Sequence, residues 1–140
     1  MLRNIINEYL VKNIDNKNDM ALLFSGGMDS LSILLSCLDV DIKPHLYTFY
    51  LDNHISEDII RSREIAKIFD LKLTEIKITT RDISLTEDIK FIIKRFKTSR
   101  KTAIQCIHPF IYIIPNIIEG NVLIREATKQ GYAIARGGFY

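Results

Sequence analysis

Cysteine is scarce: Cys37 and Cys106 are the only two. That excludes a disulfide framework and leaves too few ligands for a zinc site, so a reducing, cytoplasmic setting is expected. An excess of one charge is also missing. Nineteen Lys and Arg stand against seventeen Asp and Glu, a net charge of +2, with the signs interspersed. This balance gives no electrostatic reason to make nucleic acid a main partner. A bilayer-spanning run is absent too, since the oiliest stretch, residues 104–118, is broken by His108, Pro109, Pro115 and Asn116. A membrane partner is therefore not expected. Nor is a secretory leader, because residues 1–10 carry Arg3, Asn4, Asn7 and Glu8 within their apolar pattern. No internal repeat, low-complexity segment or domain boundary is visible.

What is present reads as globular: 47% hydrophobic and 26% charged residues over 140 positions, enough for one core and one domain covering 1–140. Leu2, Ile5, Ile6, Tyr9, Leu10 and Ile14 recur at helical spacing and predict an opening amphipathic helix. A polar turn, residues 15–19, leads to Met20–Phe24, a short continuous apolar run expected as a buried parallel strand. A helix begins at Met28 or Asp29 and runs through Leu38. A second strand follows at His45–Leu51, rich in aromatic and β-prone types. Ser56-Glu57-Asp58 reads as the acidic start of another helix, and residues 72–78 alternate as a third strand. Residues 79–83 read as loop, 85–96 as helix, and 102–118 as helix disturbed at His108-Pro109. Asn121–Ile124 is expected as a fourth strand. Strands alternating with helices predict an α/β fold: a Rossmann-like parallel sheet of four or five strands with helices on both faces.

Between the first strand and its helix lies Ser25-Gly26-Gly27-Met28-Asp29-Ser30. Ligands of open parallel sheets bind at the carboxyl ends of strands, which is where this hexapeptide falls. The first amides of the following helix lack helical partners and attract an anion. Gly26 and Gly27 are able to take backbone angles closed to other residues and to expose their amides. Ser25 and Ser30 carry hydroxyl donors, and Asp29 fits best as a Mg²⁺ partner, because a carboxylate repels bare phosphate. The competing structural reading is a plain strand-to-helix turn capped by Ser25 or Asp29. The Walker pattern is excluded, since no lysine lies between Asn18 and Lys43.

The hexapeptide resembles the SGGxDS signature of the PP-loop ATP pyrophosphatases, a family that includes asparagine, GMP and NAD synthetases and tRNA-modifying enzymes. Residues 46–78 are similar in particular to the synthetase domain of asparagine synthetase. The resemblance implies ATP and Mg²⁺ as cofactors and cleavage of ATP between its α and β phosphates to adenylate an acceptor. Amide-forming ligase chemistry is the usual outcome. It implies that Ser25, Gly26, Gly27, Asp29 and Ser30 hold the pyrophosphate portion, and that the backbone around Phe49, Tyr50 and Leu51 reads the adenine edge. Leu85-Thr86-Glu87-Asp88 and Ile107–Tyr112 continue the likeness. The pattern departs after the fourth strand: where an acidic glycine loop is expected, the chain reads Arg125-Glu126-Ala127-Thr128-Lys129-Gln130. Only Glu126 carries over as a second metal ligand, and a lysine, Lys129, stands at the place of an aspartate. The larger relatives also continue past the point matching Tyr140, so a second subunit or a homodimer completing the site is expected to be open.

Other residues invite weaker readings. Lys101, with Arg100, is a candidate catalytic cation for the transition state; together with Lys94, Arg95 and Lys97 it also reads as a solvated helix face. Asp52 is placed to assist Mg²⁺ or to cap a loop. Cys106 and His108 make a possible nucleophile pair, against which a packed cysteine is the plainer reading. Gly131, Gly137 and Gly138 are candidates for a rebuilt second loop or ordinary turns. Two alternatives to the adenylating enzyme stay open: a nucleotide-binding or protein-interaction module without catalysis, and a sulfur-transfer enzyme using Cys106.

Overall fold

The computed structural model describes residues 2–124 and 133–136. Helix α1 spans Leu2–Asn13, and its Ile6 and Leu10, with Ile14 just beyond, form the buried face at helical spacing. Strand β1 is Met20–Leu23 and is buried almost throughout. Helix α2, Met28–Asp39, buries Ser30, Ile33, Leu34 and Cys37, again i, i+3, i+4 and i+7. Strand β2 is His45–Leu51, helix α3 Glu57–Ile68 and strand β3 Leu73–Ile78. Helix α4 spans Asp82–Phe96 and ends where Lys97 turns to a left-handed φ of 50°. Helix α5 spans Lys101–Ile113 and runs into a 3-10 turn at Ile114–Asn116. Strands β4, Asn121–Ile124, and β5, Ala133–Arg136, complete the sheet.

Three details differ from the sequence expectation. Helix α4 starts inside the segment expected as loop, its first turn closed by the Leu85 amide donating to the Arg81 carbonyl at 3.0 Å. Pro109 sits inside α5 without ending it. Proline removes one backbone donor, and the packing of Ile113 against the sheet keeps the helix on course; the interruption falls at Pro115 instead. The sheet also gains an antiparallel edge strand, β5, from the region that carried no clear pattern.

The sheet order is β3-β2-β1-β4-β5, with the first four strands parallel. Alternation along the strands sorts the core into two layers. Met20, Leu22, Phe24 and Leu46 face α1, α2 and α3, against Leu10, Ile33, Leu34, Cys37 and Ala66. Ala21, Tyr47, Ile76 and Val122 face the other way, against Ile113 and Tyr112 of α5. Each fully buried Leu or Ile in these layers contributes roughly 1.5–3 kcal/mol relative to exposure. The connections from β1 to β3 thus cross one face, and the return from β3 to β4 crosses the other. The direction of winding reverses at β1, which opens a crevice above its carboxyl end.

The opposite end of the sheet, at the strand starts, is locked by a polar cluster. The His45 Nδ1 pairs with the Glu119 carboxylate, while His45 Nε2 meets the Thr74 hydroxyl at 2.7 Å. Tyr47 donates its hydroxyl proton to Glu119 Oε2 at 2.7 Å, and its ring lies 4.1 Å from that of His45. Burial pushes the Glu119 carboxyl upward, and the bonds from Tyr47 and His45 outweigh it, so Glu119 titrates below the usual carboxylate range. Nearby, the Gly120 amide donates to Asp19 at 2.8 Å, and a Cβ at Gly120 would stand 2.5 Å from that carboxylate. These bonds tie the starts of β1, β2, β3 and β4 together. Among the described residues no helix is long and apolar enough to cross a membrane.

Candidate functional site

At the crevice above β1 the chain makes its glycine turn. Gly26 adopts φ +74°, a left-handed conformation that favours glycine. Its α-carbon is pressed against the first turns of α3: a Cβ there would lie 2.7 Å from the Asp58 carbonyl oxygen and 3.0 Å from Ser62 Oγ. Gly27 differs. Its φ of −82° and ψ of 167° are extended backbone open to any residue, and a Cβ would meet only Ser25 Oγ, at 3.4 Å. Of the two glycines able to take such angles, Gly26 uses one and supplies the turn, while Gly27 keeps the wall of the cleft bare.

Hydrogen bonds set the shape of the loop. The Ser25 amide donates to Ser30 Oγ at 3.3 Å, and Ser30 Oγ donates to the Gly27 carbonyl at 3.1 Å. Ser30 is buried, and its hydroxyl staples the loop to α2. The Gly27 amide donates to Ser25 Oγ at 3.3 Å, which leaves the exposed Ser25 hydroxyl its own proton to offer outward or to Ser30, 3.2 Å away. The first helical bond of α2 is from the Leu31 amide to the Gly27 carbonyl, at 3.0 Å, and no side chain caps the helix. The amides of Met28, Asp29 and Ser30 precede that bond and so have no acceptor within the helix. With the helix dipole they form an electropositive rim on the cleft.

The cleft has a volume of about 380 Å³. Ser25, Gly27, Asp29 and Ser30 form one wall, with Leu23 and Phe24 at the end of β1; Tyr47, Thr48 and Phe49 of β2 form the second; Gln105, Cys106, Pro109, Phe110 and Ile113 of α5 form the third. The structure thus brings together most of the motif with Phe49. Tyr50 and Leu51 are not among the lining residues, nor is Gly26, which faces α3. Lys101 stands at the start of α5 and lines a neighbouring cavity, not this cleft. Glu126, like Lys129, Gly131, Gly137 and Gly138, lies outside the described residues.

Asp29 is the carboxylate on the cleft wall, and among the described residues no group of three or more His, Cys, Asp or Glu side chains is placed to hold a metal ion. One carboxylate suits Mg²⁺ only when phosphate oxygens and water supply the remaining ligands, which is the ordinary arrangement at nucleotide sites. Asp52 turns out to be a latch: its Oδ1 accepts from the Thr80 hydroxyl at 2.9 Å and from the Thr80 amide at 3.3 Å, bonds that hold its carboxyl below the usual range.

The third wall was not legible from the motif. Cys106 is exposed on the cleft, contrary to the packed cysteine expected, while Cys37 is buried and its thiol is pushed up to about 12. His108 does not pair with Cys106. Its Nε2 binds Asp88 Oδ2 at 2.9 Å, and the Tyr112 hydroxyl donates to the same oxygen. Two residues apart on a helix point to different sides, which is why the pair separates. The apolar stripe Phe110–Ile113 was the available signal that α5 covers the sheet.

No family model and no curated protein matches the chain. Solved structures do. The fold is similar to that of NMN synthetase from Francisella tularensis, at TM-score 0.57 and 12% identity, covering 86% of this chain and 51% of that one. The NH3-dependent NAD synthetase from Campylobacter jejuni, solved with nitrate, matches at TM-score 0.49 and 16% identity, over 86% of this chain and 52% of that one. The chain spans about half the length of both. At such identities the first likeness shows the fold: α/β, Rossmann-like, with a parallel sheet flanked by helices. The particular likeness to asparagine synthetase is not among what these structures show.

Proposed function

We propose that the chain binds ATP with Mg²⁺ and cleaves it to AMP and pyrophosphate, adenylating an acceptor. The observation that carries this is the uncapped start of α2 opening onto a cleft at the winding reversal, with Ser25, Gly27 and Asp29 on its wall. The SGGxDS resemblance and the similar fold of an NMN synthetase support the same reading.

In this reading the pyrophosphate portion lies against the amides of Met28, Asp29 and Ser30, with the Ser25 hydroxyl donating to it. Fixed donors aimed at charge that grows on the leaving group need no reorganisation during reaction. The adenosine portion extends toward β2, where Thr48 is buried and Phe49 is partly exposed on the cleft. Asp29 and phosphate oxygens would hold Mg²⁺, which neutralises phosphate charge when bound. Glu126 is proposed as a second ligand, and a second copy or subunit as a source of further groups. The acceptor reaches the α-phosphorus from the α5 side, and the protein's work is to hold it in line.

The test is calorimetry with ATP, AMP and pyrophosphate, each with magnesium, followed by an assay for pyrophosphate release. Binding with release supports an enzyme. Binding without release in the presence of a broad acceptor mixture points to a nucleotide-binding module. No heat with any of the three removes the proposal.

A further inference from the structure

A groove of about 100 Å³ opens between the end of α4 and the second half of α5. Its walls are Phe91, Arg95 and Phe96 of α4, then Phe110 and Ile111 of α5 and Ile114 in the 3-10 turn that follows. It is far below the roughly 300 Å³ at which small-molecule sites begin, and has room for one apolar side chain. Phe91 is 52% exposed and Phe96 48%, so neither ring is spent on the core. Helix α5 is apolar along most of its length, yet Ile113 is its one fully buried residue. The two helices leave an apolar seam open to water, which marks an interaction surface.

Charge at the groove itself selects the occupant. Arg95 is the one polar residue of the lining. Lys94 stands three residues after Phe91, a neighbour on the helix surface, and Lys97 follows Phe96 at the helix end. Lys94, Arg95 and Lys97 make no ion pair among the described residues. The carboxylates one turn before Phe91 are engaged elsewhere: Glu87 with Lys90 at 3.3 Å, and Asp88 with His108 and Tyr112. The dipole of α4 accounts for cations in its last turn. It does not account for two half-exposed phenylalanines set among them.

We propose that this groove docks an acidic amphipathic helix of a partner protein. Apolar residues at i, i+3 or i+4, and i+7 of that helix follow the seam, one of them seated between Phe91, Phe96 and Ile111. Carboxylates flanking this stripe face Arg95 and Lys94. The anchor in its pocket supplies affinity, and the charges supply orientation and partner choice. A symmetric contact between two copies of this chain would instead set Arg95 and Lys94 against their like. A bilayer would touch the helix ridges, whereas Ile111 and Ile114 line the hollow between them.

The experiment uses fluorescent peptides of about fifteen residues, long enough to become helical on a surface, with leucine at i, i+4 and i+7. One carries glutamate at the flanking positions and its twin carries lysine. Binding to the whole chain is read by anisotropy and located by backbone NMR. The glutamate peptide is expected to bind saturably, shifting Phe91, Arg95, Phe96 and Ile111, and the lysine twin at least about tenfold more weakly. Phe91→Ala is expected to weaken the glutamate peptide about tenfold. Arg95→Glu is expected to reverse the preference, so that the lysine twin binds better. Both residues are exposed, and circular dichroism is expected to stay that of wild type. No binding of the glutamate peptide, equal binding of the twins, or an unchanged preference in folded Arg95→Glu overturns the proposal. So does co-sedimentation with vesicles of equal phosphatidylcholine and phosphatidylserine that Phe91→Ala abolishes, which assigns the groove to a lipid surface. Self-association abolished by Phe91→Ala assigns it to a second copy and overturns the proposal equally.

Discussion

Gly26 and Gly27 are neighbours in sequence, but their substitution should fail in opposite ways. At Gly26, alanine forces a side chain into φ +74° and places its Cβ 2.7 Å from the Asp58 carbonyl and 3.3 Å from Arg61 Cβ. The left-handed conformation costs roughly 1–2 kcal/mol, and overpacking against a helix backbone a further 1–3 kcal/mol or so. Gly26→Ala should therefore lose at least about 2 kcal/mol, which for a chain of this size is a fall in Tm on the order of 6–8 °C. At Gly27, threonine finds an extended backbone, contact with Ser25 Oγ alone at 3.4 Å, and a helix-capping position where it ranks with glycine. Gly27→Thr should stay within about 0.5 kcal/mol of wild type. Its side chain, however, stands on the cleft wall where the pyrophosphate is proposed to lie, and its hydroxyl competes for the start of α2. The affinity for magnesium pyrophosphate should fall by at least about tenfold. Urea unfolding and calorimetry on the two variants decide it. A Gly26→Ala protein as stable as wild type would refute the packing argument, and undiminished pyrophosphate binding by folded Gly27→Thr would refute the assignment of the cleft.

Further expectations concern the rest of the site and the opposite end of the sheet. Glu119→Ala leaves Tyr47 and His45 buried without their partner and should cost roughly 3 kcal/mol, measured by urea unfolding. Because the folded pKa of Glu119 lies below its ordinary value of 4.5, its contribution is complete above that pH and is lost as pH falls through the folded value. A stability–pH curve of Glu119→Gln should therefore have a shallower acid limb than wild type. Cys37 is fully buried with its thiol pushed up to about 12, and Cys106 is exposed, so the native chain should react rapidly through Cys106 while Cys37 reacts only on unfolding. Magnesium ATP should slow labelling of Cys106, which lines the cleft. Asp29→Ala should weaken magnesium-dependent ATP binding, measured by calorimetry with and without magnesium, since Asp29 is the carboxylate on the cleft wall.

Much of the scaffold was written locally. His45–Leu51 combines aromatic and branched types in a run bounded by Pro44 and a polar loop, so the strand could be read to the residue. The hexapeptide was equally legible, because a turn, a helix start and an anion site need residues only a few positions apart. What stayed hidden depends on distant partners. His45 and Glu119 are 74 positions apart, and nothing near either residue announces the other. The third wall of the cleft comes from α5, whose Gln105 and Cys106 are ordinary residues until the return crossover lays that helix over the sheet. Strand β5 was missed because Ala-Ile-Ala-Arg carries little strand preference of its own, and pairing with β4 decides it. Lys101 looked like a phosphate neighbour on sequence grounds; helical phase turns it toward α4 instead.

The central claim is tested most directly by titrating isotopically labelled protein with magnesium pyrophosphate and magnesium ATP and following each backbone amide by NMR. The account predicts that both ligands shift Gly27, Met28, Asp29 and Ser30 most strongly, and that ATP alone extends the change to Thr48 and Phe49. Shifts centred elsewhere, or none at saturating ligand, would contradict it.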